Sequence, residues 1–276
     1  MKTATIIAFA LFSALLSQGC WAQPVSGEPE EPEMFDDNYT FVCPDGGYES
    51  GCERDDVERA VKLEPDNLAQ ISTHCLYQTR ANCRVMASGN IAMRQPKRSL
   101  QWQQIELNPT DGPRAEMMIM AETGGPLPAL LSSYQVDGYF DAPFAANMAY
   151  ENMLIQIPGR NRGLGSADIF LYSTGDSWNW SSAYDIMTDV DKLLPKGFTM
   201  DSQIVFNMRE LVAWAQVRRD DDPGCCVTGG KVYVDFELKD YSLSVSRIGF
   251  DETKPVGETR RFPADSDEVS TAGDGQ

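Results

Sequence analysis

A single histidine, His74, is all that this 276-residue chain holds of the side chain best suited to proton transfer near neutral pH. Nucleophilic hydrolysis of the serine–histidine–aspartate kind has one base to draw on, and no serine stands in a Gly-x-Ser-x-Gly elbow. His74 adjoins Cys75, so a structural place beside a disulfide is the expectation. Zinc runs short of ligands for the same reason once the cysteines are oxidised. Long hydrophobic runs are also missing. The apolar stretch Ala4 to Leu16 falls short of the about 20 residues that a membrane span needs, and no later stretch reaches that length. No integral membrane segment is therefore expected in the mature chain. Basic residues are outnumbered, 23 Lys and Arg against 41 Asp and Glu, for a formal charge of −18. Such a surface repels phosphate backbones and anionic lipids, which argues against nucleic acid or a membrane surface as partner. No cofactor motif stands out, and no cofactor is expected.

What is present begins with an export signal. Lys2, the apolar stretch and the segment Cys20-Trp21-Ala22-Gln23 have the layout of a secretory signal peptide cut after Ala22. Losing Lys2 takes the formal charge from −18 to −19. The rival is a bacterial lipoprotein signal acylated at Cys20, but Ser17 stands where that signal usually has leucine. By either route Cys20 leaves the set. Six of the seven cysteines remain: Cys43, Cys52, Cys75, Cys83, Cys225 and Cys226. An even number in an exported chain reads as disulfides and places the protein in the periplasm or outside the cell.

Six cysteines allow 15 pairings. The spacings of Cys43 to Cys52 and of Cys75 to Cys83 suit local loop closure. Cys225 and Cys226 are adjacent, and a bond between neighbours forces a strained ring. The alternative is that each reaches a different N-terminal cysteine and pins that region to the rest.

Five segments follow from composition. Residues 1–22 are the signal peptide, and 23–37 form an acidic linker. Residues 38–99 form a loop-rich, disulfide-bonded region, 100–250 a β-rich domain, and 251–276 an acidic tail. Linker and tail have the composition of disordered chain. A short helix is expected over Asp55 to Leu63. Short apolar runs then alternate with turn signals, which suggests a mainly β, sandwich-like sheet domain. Candidate strands are Arg84 to Ala87 (ended by Ser88-Gly89-Asn90), Leu100 to Leu107, Ala115 to Ala121, Tyr134 to Phe140, Met153 to Ile157 and Ile169 to Tyr172. Apolar spacing over Ala183 to Leu194 predicts a helix, stopped by Pro195-Lys196-Gly197. Ile204 to Met208 and Leu211 to Val217 return to strands. A terminal hairpin is expected from Val232 to Ile248 with its turn at Lys239-Asp240, Val232, Val234 and Phe236 on one face, and Tyr241, Leu243, Val245 and Arg247 sharing another.

The run Asp222-Pro223-Gly224-Cys225-Cys226-Val227-Thr228-Gly229-Gly230 leads into that hairpin. It resembles a segment of uncharacterised bacterial exported proteins that carry an Asp-Pro-x-Cys-Cys pattern before their last strands. The resemblance covers about residues 220–250, and Val227 stands where those proteins usually have proline. It implies an extracytoplasmic β-rich domain and brings no activity with it.

Four features bear on chemistry. Asp220, Asp221 and Asp222 cluster in a loop, as calcium ligands do, but the EF-hand spacing is absent and exposed carboxylates around a turn explain them. Glu116 and Glu122 share a strand face with Arg114, Met118 and Met120, and with Asp141 they could line a glycan-cleaving groove. Trp178-Asn179-Trp180, between Tyr172 and Tyr184, is the clearest binding signal, because a large amphipathic ring suits recognition. The bland alternative is that the two tryptophans plug the end of the sandwich. Three functions are therefore open: a non-catalytic structural or interaction protein, a carbohydrate- or cell-wall-binding module using Trp178, Asn179 and Trp180, and a secreted glycan-active hydrolase or lyase. A glycan or a protein is the expected kind of partner.

Overall fold

A computed structural model of the chain contains three four-stranded antiparallel sheets, each built largely from neighbouring strands. It describes residues 41–93, 98–149, 152–163, 165–174, 177–223, 226–239 and 242–253. All of them belong to one compact unit, Asp36–Gln276.

Two short helices come first, α1 (Arg54–Ala60) and α2 (Pro65–Ala69). The Asp56 carboxylate accepts from the Glu53 N–H and closes the start of α1, while Pro65 sets the first turn of α2. The first sheet has β1 (Asn82–Ala92), β2 (Ser99–Asn108), β3 (Ala115–Thr123) and β4 (Ala129–Val136), in that order. Next come β5 (Tyr139–Phe140), β6 (Phe144–Ala149), β7 (Asn152–Ile157), β8 (Gly159–Arg160), β9 (Ile169–Thr174) and β10 (Ser177–Ser182). The second sheet runs β10-β9-β7-β6, while β5 and β8 pair separately. Helix α3 (Ala183–Asp191) leads into the third sheet of β11 (Phe198–Asn207), β12 (Val212–Arg219), β13 (Gly230–Lys239) and β14 (Ser242–Glu252).

Three apolar clusters stack these parts. In the first, Val42, Val57, Leu76 and Tyr77 of the N-terminal region cover Ile105, Met117 and Ile119 of the first sheet. In the second, the opposite face of that sheet, with Trp102, Met118 and Met120, meets Met153, Ile155, Ile169 and Leu171 of the second. In the third, Leu154, Phe170 and Tyr172, on the far face of the second sheet, pack with α3 and with Ala213, Ala215, Val232 and Val234 of the third. The first two sheets form a sandwich and are covered on both faces. That is why Ala115 to Glu122 are all buried, and why β7 and β9 are nearly continuous apolar runs.

The N-terminal region is held by covalent and polar ties. Cys43 pairs with Cys52, and Cys75 with Cys83, so all four N-terminal cysteines are satisfied locally. None is left to bond Cys225 or Cys226; Cys225 lies outside the described residues. Two buried glutamines of the first sheet complete the bonding of nearby backbone. Gln103 accepts from the Leu76 N–H (2.9 Å) and donates to the His74 carbonyl (2.7 Å). Gln135 accepts from Val42 N–H (2.8 Å) and donates to the Val42 carbonyl (3.0 Å).

Beyond β6 and β10, which were not expected, the strands depart from expectation in three places. β1 does not end at Ser88-Gly89-Asn90. Gly89 lies opposite Trp102, and a Cβ there would stand 2.7 Å from the indole, so this glycine makes room for a ring and forms no turn. The segment Tyr134 to Phe140 is divided between β4 and β5 at Asp137-Gly138. In the terminal hairpin the register shifts beside Asp235 and leaves Ser246 unpaired. This bulge moves Arg247 to the outer face, where it pairs with Asp235, and puts Ile248 and Phe250 inward. Asp240 of the expected turn Lys239-Asp240, and Tyr241, expected to begin the second strand, lie outside the described residues.

Helix α3 forms where expected but ends at Asp191, and of the apolar face expected from Tyr184, Met187, Val190, Leu193 and Leu194 only Val190 and Leu194 are buried, while Tyr184 and Met187 are half-buried and Leu193 is exposed. Ser182 accepts from the Asp185 N–H at the N-cap, and Ile186 and Val190 lie buried one turn apart.

Candidate functional site

Trp178 and Trp180 alternate along β10 and face the first sheet. Both are half-buried. The Trp178 indole N–H donates to Glu122 Oε2 over 3.0 Å, and Glu122 is also paired with Arg98. The Arg54 guanidinium lies 4.7 Å above the Trp180 ring, and Tyr134 stands 6.4 Å from it. Each tryptophan is thus engaged by the first sheet or by α1. Asn179, half-buried, points to the opposite face.

Glu116 and Glu122 lie at opposite ends of β3. Six residues of strand separate them by about 20 Å, well beyond the roughly 5–9.5 Å between paired glycosidase carboxylates. Glu116 is spent internally, accepting from the Phe140 N–H (2.9 Å) and from Gln104 Nε2 (2.8 Å). Asp141 is exposed beside that end. The nearest acid to Glu116 along the sheet is its cross-strand partner Glu106. Asn108 with Arg84, then Arg114, hold the Glu106 carboxyl below its ordinary range.

Among the described residues, Asp168 is the one deeply buried carboxylate whose pKa is strongly raised, pushed up to about 6 by burial against the pull of Gln156 and Arg160. Gln156 Nε2 donates to it over 2.8 Å. His74 borders a groove of about 720 Å³ between residues 72–79 and Cys83–Val85, and no carboxylate lines it. Asp222 caps its own loop, accepting from the Arg219 N–H (2.8 Å), the Thr228 N–H (2.8 Å) and the Thr228 hydroxyl (2.5 Å). The Thr228 bonds hold its carboxyl below the ordinary range. Among the described residues no three His, Cys, Asp or Glu side chains gather as metal ligands do.

The third sheet presents a different kind of site. Its inner face is buried through Ala213, Ala215, Val217, Val232 and Val234. Strand alternation turns the intervening residues outward. Val205 pairs with Trp214, Trp214 with Tyr233, and Tyr233 with Gly249, giving one row across all four strands. Val205, Trp214 and Tyr233 expose 45%, 39% and 49% of their surface. Lys231 Nζ lies 5.3 Å from the Trp214 ring and orients it. Polar rows flank this strip. On one side run Asn207, Asp235 and Arg247, interrupted by Val212, and on the other Gln216, Lys231 and Asp251.

The sequence carried a signal for this row. Placing Val232, Val234 and Phe236 on one face of β13 leaves Tyr233 on the other, with Lys231 and Asp235. In β12 the small residues Ala213 and Ala215 mark the packed side, so Trp214 shares the polar side with Gln216. The comparison with known proteins adds no precedent, since no protein-family model, curated protein or solved structure matches the chain.

Proposed function

We propose that the chain is an exported, disulfide-braced protein with a non-catalytic binding role, and that the outer face of the third sheet is its binding face. The observation that carries this reading is the row Val205–Trp214–Tyr233, which stays exposed on strands whose alternate residues are fully packed. Leaving about half of each of these large side chains in water forgoes roughly half of the about 1.5–3 kcal/mol that full burial supplies, and aromatic residues so placed are characteristic of recognition surfaces. Trp178 and Trp180 have partners within the fold and are not needed for this reading. Export rests on the signal-like segment ending at Ala22 and on the two N-terminal disulfides, which belong to an oxidising compartment. A secreted or periplasmic location follows from both.

The test is retention on intact cells. Labelled residues 23–276, oxidised, are incubated with cells that encode the protein, alongside a Trp214→Ala/Tyr233→Ala variant. Retention of the parent and at least tenfold less retention of the variant is the expected result. Equal retention, or none, overturns the reading.

A further inference from the structure

We infer that the row on the third sheet takes a neutral, extended, β-linked polysaccharide, an assignment that rests on the binding role proposed above. Four features of the face lead to this class of ligand.

The first is footprint. With the exposures given above, and aromatic side chains of about 150–250 Å² each, the row offers roughly 200–300 Å². A stable protein interface needs about 800 Å² per partner. The apolar strip by itself supplies only about a third of that, and its width suits a narrow ligand such as a sugar chain.

The second is the pattern of polarity. A pyranose ring has flat C–H faces and a rim of hydroxyls. The third sheet offers the complement, with an apolar strip between two polar rows. Asn207 and Asp235 on one side, and Gln216 and Asp251 on the other, supply amide and carboxylate groups at the height of a ring lying on Trp214 and Tyr233.

The third is spacing. The row crosses the strands, so Trp214 and Tyr233 are one strand spacing apart, about 4.8 Å. That is comparable to the advance per sugar in an extended β-linked chain, so successive rings fall over successive strands.

The fourth is charge. The chain carries −18 overall, yet the charges flanking the row lie opposite one another in pairs. Arg247 donates to Asp235 over 2.8 and 2.5 Å, and Lys231 lies directly opposite Asp251 in the register. A locally balanced face on an acidic protein suits an uncharged glycan and disfavours a polyanion.

Gly249 completes the row. It adds no side chain beside Tyr233, and a Cβ placed there meets only the Tyr233 Cβ, at 4.0 Å. The position tolerates a larger residue sterically, which provides a variant that obstructs the strip while sparing the core.

The experiment is affinity electrophoresis of oxidised residues 23–276 through native gels containing hydroxyethylcellulose, xylan, galactomannan or mixed-linkage β-glucan. Retardation in at least one gel is expected, weakened at least tenfold by Trp214→Ala/Tyr233→Ala and several-fold by Gly249→Glu, and unchanged by Trp178→Phe. No retardation in any gel overturns the assignment, as does retardation that the third-sheet variants keep. The cell-retention assay separates the two levels. Retention that depends on Trp214 and Tyr233 without retardation in gels removes the glycan and leaves the binding face. Retention indifferent to those residues removes the binding face as well.

Discussion

Trp178 and Glu122 join the two sheets of the sandwich, the indole N–H of β10 donating to a buried carboxylate of β3 over 3.0 Å. Arg98 supplies the opposite charge on the same carboxylate. A buried carboxylate is costly unless paired and hydrogen-bonded, so the indole acts as structure here. Trp178→Phe keeps most of the ring and deletes the donor. It should lower stability by about 1–3 kcal/mol. Urea titration of parent and variant measures this. An unchanged midpoint would mean that the bond carries no weight in the fold.

Asp168 makes stability depend on pH. Its carboxyl is pushed up to about 6 by burial, against an ordinary 3.8. Below the lower value it is protonated in folded and unfolded chain alike. Between the two, only the unfolded chain has released the proton. The contribution of Asp168 is therefore full at low pH and is lost as pH rises through about 6, a change on the order of 3 kcal/mol. Asp168→Asn should flatten the profile over this window and leave the acid end unchanged. Thermal melts across pH 3.5–7, a range of about three pH units around these values, follow the difference directly.

Gln103 anchors the N-terminal region through three backbone groups, since its amide also donates to the Ile71 carbonyl over 2.5 Å. Gln103→Leu is close in volume but offers no partner. Buried backbone groups left unpaired cost about 1–3 kcal/mol each, so the variant should lose several kcal/mol in that order of magnitude. Amide exchange at Leu76 should accelerate ahead of exchange in the third sheet. Uniform acceleration across the protein would instead mean that the region and the sheets unfold together.

Much of the architecture can be read from pattern alone. Alternation in Val232, Val234 and Phe236 gave a packed face of β13, and apolar spacing between Tyr184 and Leu194 gave the place of α3, though the face it buries is set by Ile186 and Val190. Local closure of Cys43 with Cys52, and of Cys75 with Cys83, was one of the pairings the spacings suited. Other features depend on contacts distant in sequence. β10 reads as a loop because serines surround its two tryptophans, and only pairing with β9 makes it a strand. Gly89 reads as a turn until Trp102 is placed opposite. Arg247 follows the inward phase until the Ser246 bulge shifts it. The exposed row on the third sheet was hard to read for a related reason. Two tryptophans close in sequence drew attention to β10, whereas the exposed pair Trp214 and Tyr233 comes together only through strand pairing.

Six faces belong to the three sheets, and the clusters described above cover five of them. The sixth is held from behind by residues that alternate with it. Variation in this protein's lineage should consequently follow parity along β12 and β13. Ala213, Ala215, Val232 and Val234 are locked to their volumes, while Trp214, Gln216, Lys231 and Tyr233 can be exchanged one by one. A new preference could then arise in a few substitutions, without the fold having to be rebuilt.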